Sequence, residues 1–156
     1  LMEMLSLREP RGRRGHAARE PEGRSDYKVF FDQCPCPMFL LDAETRITLS
    51  NSAFAEFVCQ PTKEVTGTPI ARTRLGNVYP GIAEDVANLT RAKRTRPFHR
   101  VLSYDQGDGQ AVSIVCWLTP EAGEGGVIAR FRGFIHPLGT HQVATSPSPS
   151  KGRRGR

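Results

Sequence analysis

Short apolar or alternating runs near both ends of the central sequence predict strands. Residues 38–41 and 46–50 flank the polar turn 42–45, which indicates two paired strands. After Pro97 the alternation returns, and two glycine-rich turns divide it into strands over residues 98–104, 110–118 and 127–135. The alternation predicts that one face of the last strand carries Val127, Ala129, Phe131, Gly133 and Ile135.

Between these runs, apolar positions recur every three or four residues, as they do in helices. Asn51 precedes residues 53–59, where its side chain can cap the first helical turn, and Gly67 ends a short helical turn after it. Residues 81–94 carry the strongest helical pattern, and residues 26–33 form a short lead-in helix. The order of strands and helices therefore predicts one α+β domain over residues 25–136.

The positive charge lies outside this domain. The chain of 156 residues has a net charge of +6, yet residues 25–136 contain twelve basic and twelve acidic side chains. The excess lies in residues 1–24 and in the basic, Ser/Pro-rich residues 137–156, which are both predicted to be disordered tails. Binding to nucleic acid is therefore expected only through the tails. Since neither a membrane-spanning run nor a secretory pattern is found, we expect no membrane association and a cytoplasmic location.

The order of elements and several short sequence words resemble the PAS family of sensory domains. FDQCPCPMFLLD resembles the lead-in helix, its proline-marked end and the first strand of that family. ITLSNSAF is similar to the second strand followed by a helix-starting asparagine, and EFVCQPTKEVTG is similar to short helices that end in glycine. WLTP and the glycine-rich turn before Val127 resemble the passage between the last two strands. The resemblance implies a five-stranded antiparallel sheet with helices on one face.

A PAS-like domain would hold a small molecule, if any, between its sheet and its helices. Nine apolar residues are candidates for lining such a cavity: Phe54, Val58, Ile70, Ile82, Val86, Leu89, Val101, Cys116 and Phe131. The alternative interpretation is that the same side chains simply fill the core. The sequence leaves both interpretations open, and with them the identity of any cofactor.

The family resemblance also raises two specific cofactor chemistries, and neither is favoured. Some PAS domains bind haem through a histidine, but those ligands usually come from the long helix, whereas His99 begins a strand. Flavin photosensors of the family carry an Asn-Cys-Arg word, and the matching segment here, RTRLGNV, lacks the cysteine. The sequence therefore favours neither haem ligation by His99 nor flavin adduct chemistry.

Neither catalysis nor metal binding is indicated. The motifs of nucleophilic, phosphate-binding and metalloprotease sites are missing, and the neighbouring Glu84 and Asp85 suit the first turn of a helix better than an acid–base pair. The four cysteines lack zinc-finger spacing and are expected to be reduced and mostly buried, Cys59 as a core residue at a helix end. They are Cys34, Cys36, Cys59 and Cys116.

Two functions compete at this stage. The first is a PAS-like sensory or regulatory module of signal transduction that binds a small ligand, a protein partner or both, and has no output domain of its own. Its partner, or a second copy, would cover Tyr27, Phe30 and Phe31, since an amphipathic helix outside the core needs cover. The second function is a ligand-free adaptor that uses the basic tails to bind nucleic acid or an acidic protein. The strongest basic cluster inside the domain is interpreted as a solvated helix end: Arg91, Lys93, Arg94, Arg96 and Arg100.

Overall fold

The computed structural model describes residues 22–142, with the side chains of residues 26–141. Its helices are α1 (Glu22–Gln33), α2 (Ser52–Val58), α3 (Thr62–Val65), α4 (Arg74–Val78) and α5 (Ile82–Arg91). Its strands are β1 (Met38–Asp42), β2 (Ile47–Ser50), β3 (Phe98–Asp105), β4 (Gln110–Ala122) and β5 (Ile128–Gln142). Single 3-10 turns lie at Ile70–Arg72 and Glu124–Gly126. The predicted order of elements is confirmed.

The strands form one antiparallel sheet in the order β2-β1-β5-β4-β3. The predicted α+β class, a five-stranded antiparallel sheet with helices on one face, is confirmed. The inward side chains of the strands meet the apolar sides of α2, α3, α4 and α5 in one buried cluster. Within the sheet, the Phe39 ring covers Gly133, its partner on β5, so closely that a Cβ atom at residue 133 would overlap the ring.

Both long strands continue past the residues at which the sequence pattern ended them, Leu118 and Ile135. β4 runs through Pro120 to Ala122, and β5 runs through Pro137 to Gln142. Beyond Leu118 strand β4 has β5 as its one neighbour, and beyond the pairing of Met38 with Phe134 strand β5 has β4 as its one partner strand. A proline with no N–H to donate is tolerated on such an open side.

These longer elements move the boundaries of the domain outward. Strand β5 includes residues 137–142, which the sequence assigned to the C-terminal tail, and α1 begins at Glu22, inside the predicted N-terminal tail. The rest of both predicted tails lies outside the described residues. The predicted boundaries at 25 and 136 were therefore too narrow.

Two of the five residues predicted to share one face of β5, Val127 and Ala129, do not lie on the face of the other three. The register between β4 and β5 shifts where Glu121 pairs with Arg130 and Ala122 pairs with Ile128. The extra residue of this bulge moves Ile128 into the core and leaves Val127 and Ala129 exposed. Side chains alternate correctly again from Phe131 onward, because the alternation restarts after a bulge.

No helix within residues 22–142 has the length and apolar character needed to cross a bilayer.

Candidate functional site

Eight of the nine residues predicted to line a cavity lie together in the buried cluster between sheet and helices. They come from α2, the first 3-10 turn, α5, β4 and β5: Phe54, Val58, Ile70, Ile82, Val86, Leu89, Cys116 and Phe131. The rings of Phe39 and Phe54 are 4.8 Å apart, centre to centre, which is direct contact between aromatic side chains. This packing favours the interpretation of these residues as core.

Val101 and His99 lie on the opposite, outer face of the sheet. The Val101 side chain is 63% exposed, so its prediction as a cavity residue is wrong. His99 is exposed and its ring is 4.4 Å from that of Trp117, its partner on β4. On β3 the inward residue is Phe98, which packs against the core, so the side chain of His99 points away from it. His99 is therefore not placed to ligate a group held between sheet and helices.

Asn51 holds the junction between α1, β1 and α2. It is fully buried, and its Oδ1 accepts hydrogen bonds from the N–H groups of Phe54 and Met38, both at 2.9 Å. Its Nδ2 donates to the backbone carbonyl of Phe31, in the last turn of α1, and to those of Cys34 and Cys36, in the segment that links α1 to β1. The predicted capping role is thus only one part of what this side chain does.

Gly67 follows α3 in the left-handed conformation, with φ of +83°, as expected of a glycine that ends a helical turn. Its N–H donates to the carbonyl of Ile47 at 2.7 Å, and its own carbonyl accepts from the Arg46 side chain at 3.0 Å. The glycine therefore ties the short helices to β2.

A polar cluster that the sequence did not reveal joins α4, α5 and β3. The Tyr79 hydroxyl, which is buried, donates to the Asp85 carboxylate. Arg100 donates two hydrogen bonds to the same carboxylate, both at 2.9 Å. These bonds, led by those from Arg100, hold the pKa of Asp85 below its usual range. Burial, followed by the bond to Asp85, raises the pKa of Tyr79.

Replacing Asp85 with asparagine should lower the free energy of unfolding by about 1–2 kcal/mol at neutral pH, because charge-assisted bonds to Arg100 are lost. Since the folded pKa of Asp85 is depressed, its contribution is complete above the unfolded pKa of about 3.9. It disappears as the pH falls through the folded pKa. Urea titrations at a series of pH values should therefore show the two proteins converging in acid.

The matched control is Glu84→Gln, which neutralises the exposed neighbour of Asp85 on the same helix. It should change the free energy of unfolding by less than about 0.5 kcal/mol. If the free energies of unfolding of wild type and Asp85→Asn differ by the same amount at neutral and at acidic pH, the ionised carboxylate does not have this role.

The predicted partner surface on α1 is present at two of its three residues. Tyr27 is 67% exposed and Phe30 is 72% exposed, whereas Phe31 is only 8% exposed. Phe31 lies about 100° around the helix from Phe30, which turns it towards the sheet. Its assignment to an exposed partner surface is therefore wrong, and it belongs with the residues that hold α1 in place.

The exposed aromatic residues of α1 adjoin the outer face of the sheet. Tyr27 and Phe31 line a small hollow together with Leu40 and Leu49, which point outward from β1 and β2. Farther across the sheet, an outward row joins residues that pair directly on four strands: Met38, Phe134, Trp117 and His99. The sheet thus has an apolar outer side that is continuous with α1.

The four cysteines are unpaired, and the expectation that most are buried is wrong. Cys116 is buried, and burial raises its pKa to about 12. Cys59 is exposed, so its prediction as a core residue is wrong. It occupies the left-handed cap of α2, and its N–H donates to the carbonyls of Ala55 and Glu56. Within residues 22–142, no three His, Cys, Asp or Glu side chains lie close enough together to hold a metal ion.

A family model of the PAS fold matches residues 25–138, which is well over half of the chain. This chain belongs to the PAS family. The match begins within α1 and ends within β5, so it includes β1 to β4, α2 to α5 and most of β5. Comparison with curated protein sequences gives no match.

Solved PAS domains share the architecture. The PAS domain of an HTR-like protein from Haloarcula marismortui is 20% identical, with a TM-score of 0.57 over 75% of this chain and 98% of its own. The PAS domain of BvgS from Bordetella pertussis is 17% identical, with a TM-score of 0.60 over 76% of this chain and 88% of its own. VqmA bound to DPO is 14% identical, with a TM-score of 0.61 over 73% of this chain and 57% of its own. At these identities the likeness shows the fold alone.

Proposed function

We propose that this PAS domain is a sensory or regulatory module of signal transduction that works as a homodimer, paired through α1 and the outer face of the sheet. PAS domains are in general sensory modules without enzymatic activity, which supports the first part of the proposal. The observation that carries the second part is the continuous apolar surface from Tyr27 and Phe30 across Leu49 to Trp117 and Val101. Monomeric proteins rarely leave such a surface uncovered.

A second copy of the chain fits this surface because the arginines on the outer side of β5 are held in ion pairs. Arg130 and Arg132, on the outer side of β5, both form ion pairs with Glu121 of β4. Two like copies can therefore approach face to face without bringing several unpaired arginines together.

The same geometry gives a route for a signal. Asn51 binds the end of α1, the start of β1 and the first turn of α2, so α1 on the partner side is connected to a helix on the core side. A ligand or partner that prefers one arrangement of these elements would shift the population towards it. Ligand binding between sheet and helices and a cytoplasmic location stay predictions. The adaptor alternative rests on tail residues beyond the described range.

Sedimentation velocity of the full chain over a range of concentrations tests the proposal. Wild type should form dimers, and Phe30→Asp combined with Trp117→Asp should weaken dimerisation by at least tenfold, since each places a charge in an apolar contact. Val127→Asp is the matched control, because Val127 is similarly exposed but lies before β5. Its dissociation constant should stay within about twofold of wild type. A wild type that is monomeric throughout would contradict the proposal.

A further inference from the structure

A cleft lies at the C-terminal end of α5, where the chain passes into β3. Its volume is about 500 Å³, within the range of about 300–1,000 Å³ typical of small-molecule sites. Leu89, Pro97 and Phe98 give it an apolar side, on which Leu89 is buried and Phe98 is half-buried. The other side is polar and consists of Lys93, Arg94, Thr95 and Arg96.

Lys93, Arg94 and Arg96 differ from Arg91 and Arg100, the other members of the predicted basic cluster, in their side-chain partners. Arg100 is held by Asp85, and Arg91 donates a hydrogen bond to Asn88. Among the ion pairs of residues 22–142, none involves Lys93, Arg94 or Arg96. Three positive charges within four residues therefore face the cleft region without an acidic partner in the described part of the chain.

The backbone at the end of α5 forms hydrogen bonds to two carbonyls of the last helical turn. The N–H groups of Lys93 and Arg94 donate to the carbonyls of Thr90 and Leu89. These two bonds form a Schellman cap, whose left-handed position is occupied by Lys93 with φ of +49°. A non-glycine residue is disfavoured there, and such strain is found most often at functional sites. The carbonyls of Leu89 and Thr90 are thus bonded within the cap. The helix end carries a partial negative charge of only about half a unit, which the three full positive charges of Lys93, Arg94 and Arg96 outweigh.

We propose that this cleft binds an organic phosphate, that is, a phosphate monoester carrying an apolar or aromatic body, such as a mononucleotide. Lysine and arginine side chains form charge-assisted hydrogen bonds with phosphate oxygens, and arginine does so with two parallel bonds. The body of the ligand would lie against Leu89, Pro97 and Phe98, which a free inorganic anion would leave exposed. The site is separate from the proposed dimer surface and does not depend on it.

Isothermal titration of the full chain with AMP, adenosine and inorganic phosphate tests the proposal at low ionic strength. AMP should bind with a dissociation constant below about 1 mM, and at least tenfold more tightly than either part alone, because it alone satisfies both sides of the cleft. Raising the salt concentration should weaken the binding of AMP, because exposed charges are screened. Equal binding of AMP and inorganic phosphate would overturn the role of the apolar side.

The variant that tests the site combines Arg94→Gln with Arg96→Gln. Both residues are exposed, so the fold should be retained, and circular dichroism checks that it is. Binding of AMP should fall at least tenfold, whereas Lys63→Gln, an exposed lysine on α3, should change it less than about twofold. Equal losses in the two proteins would overturn the proposal. It would also fail if single-stranded RNA bound and AMP did not, since that result would indicate a nucleic-acid surface.

Discussion

Replacing Asn51 with alanine should lower the free energy of unfolding by about 3–5 kcal/mol, which is a large part of the stability of an ordinary domain. The buried amide makes five hydrogen bonds to backbone groups of α1, its following linker, β1 and α2. Alanine has no atoms that replace them, so the N–H groups of Met38 and Phe54 lose their partner together with the linker carbonyls. The loss should exceed that of an ordinary helix cap, which is about 1 kcal/mol.

Urea unfolding followed by circular dichroism measures this loss. Asn77→Ala is the matched control, because Asn77 is an exposed asparagine within α4. Alanine is the better helix former, so this control should be neutral or slightly stabilising. A loss of about 1 kcal/mol at residue 51 would show that Asn51 acts only as the cap of α2.

Replacing Phe54 with alanine should lower the free energy of unfolding by about 3–5 kcal/mol, the usual effect of emptying a packed core position. Phe54 is fully buried, contacts Phe39, and belongs to the set of residues for which the sequence left both a ligand cavity and a packed core open. The variant therefore tests which interpretation is right. Val127→Ala removes an apolar side chain from an exposed position outside the proposed dimer surface and should cost less than about 0.5 kcal/mol.

The opposite outcome is equally informative. If Phe54 bordered an open space, its ring would have fewer neighbours to lose, and the loss would be about 1 kcal/mol or less. Heat-denatured extracts of the wild-type protein, analysed by mass spectrometry, would then be expected to contain a small molecule. A small loss at Phe54 would thus favour the cavity interpretation over the packed core.

The order of elements could be predicted because helices and strands differ in the period of their apolar positions. What failed in the sheet were effects of neighbouring strands. Pro120 and Pro137 are accommodated in strands because they lie beyond the ends of the neighbouring strands β3 and β1. The bulge beside Glu121 moves Val127 and Ala129 to the outer face. Each of these facts belongs to a pair of strands, and a single segment does not contain it.

The site residues also divide into those with a local sequence signal and those positioned by contacts that are distant in sequence. Asn51 could be identified because capping is local, but its bonds to the end of α1 and to the linker before β1 join residues up to 20 positions apart. The bond between Asp85 and Arg100 joins a helix to a strand, and each residue had a sufficient local explanation in the sequence. Val101 was misplaced because apolar residues lie on both faces of β3, so the pattern did not show which face is inward.

The position of β5 has a consequence for how the domain folds. β1 pairs with β2, and β3 pairs with β4, so two antiparallel pairs exist that do not touch one another in the sheet. β5 is the strand that lies between them, and it is also the last to leave the ribosome. The sheet therefore closes only after β5 has been synthesised, through contacts between residues about 90 positions apart in sequence. Until then the two halves expose unpaired edges, and this is the stage at which the chain is most prone to aggregate.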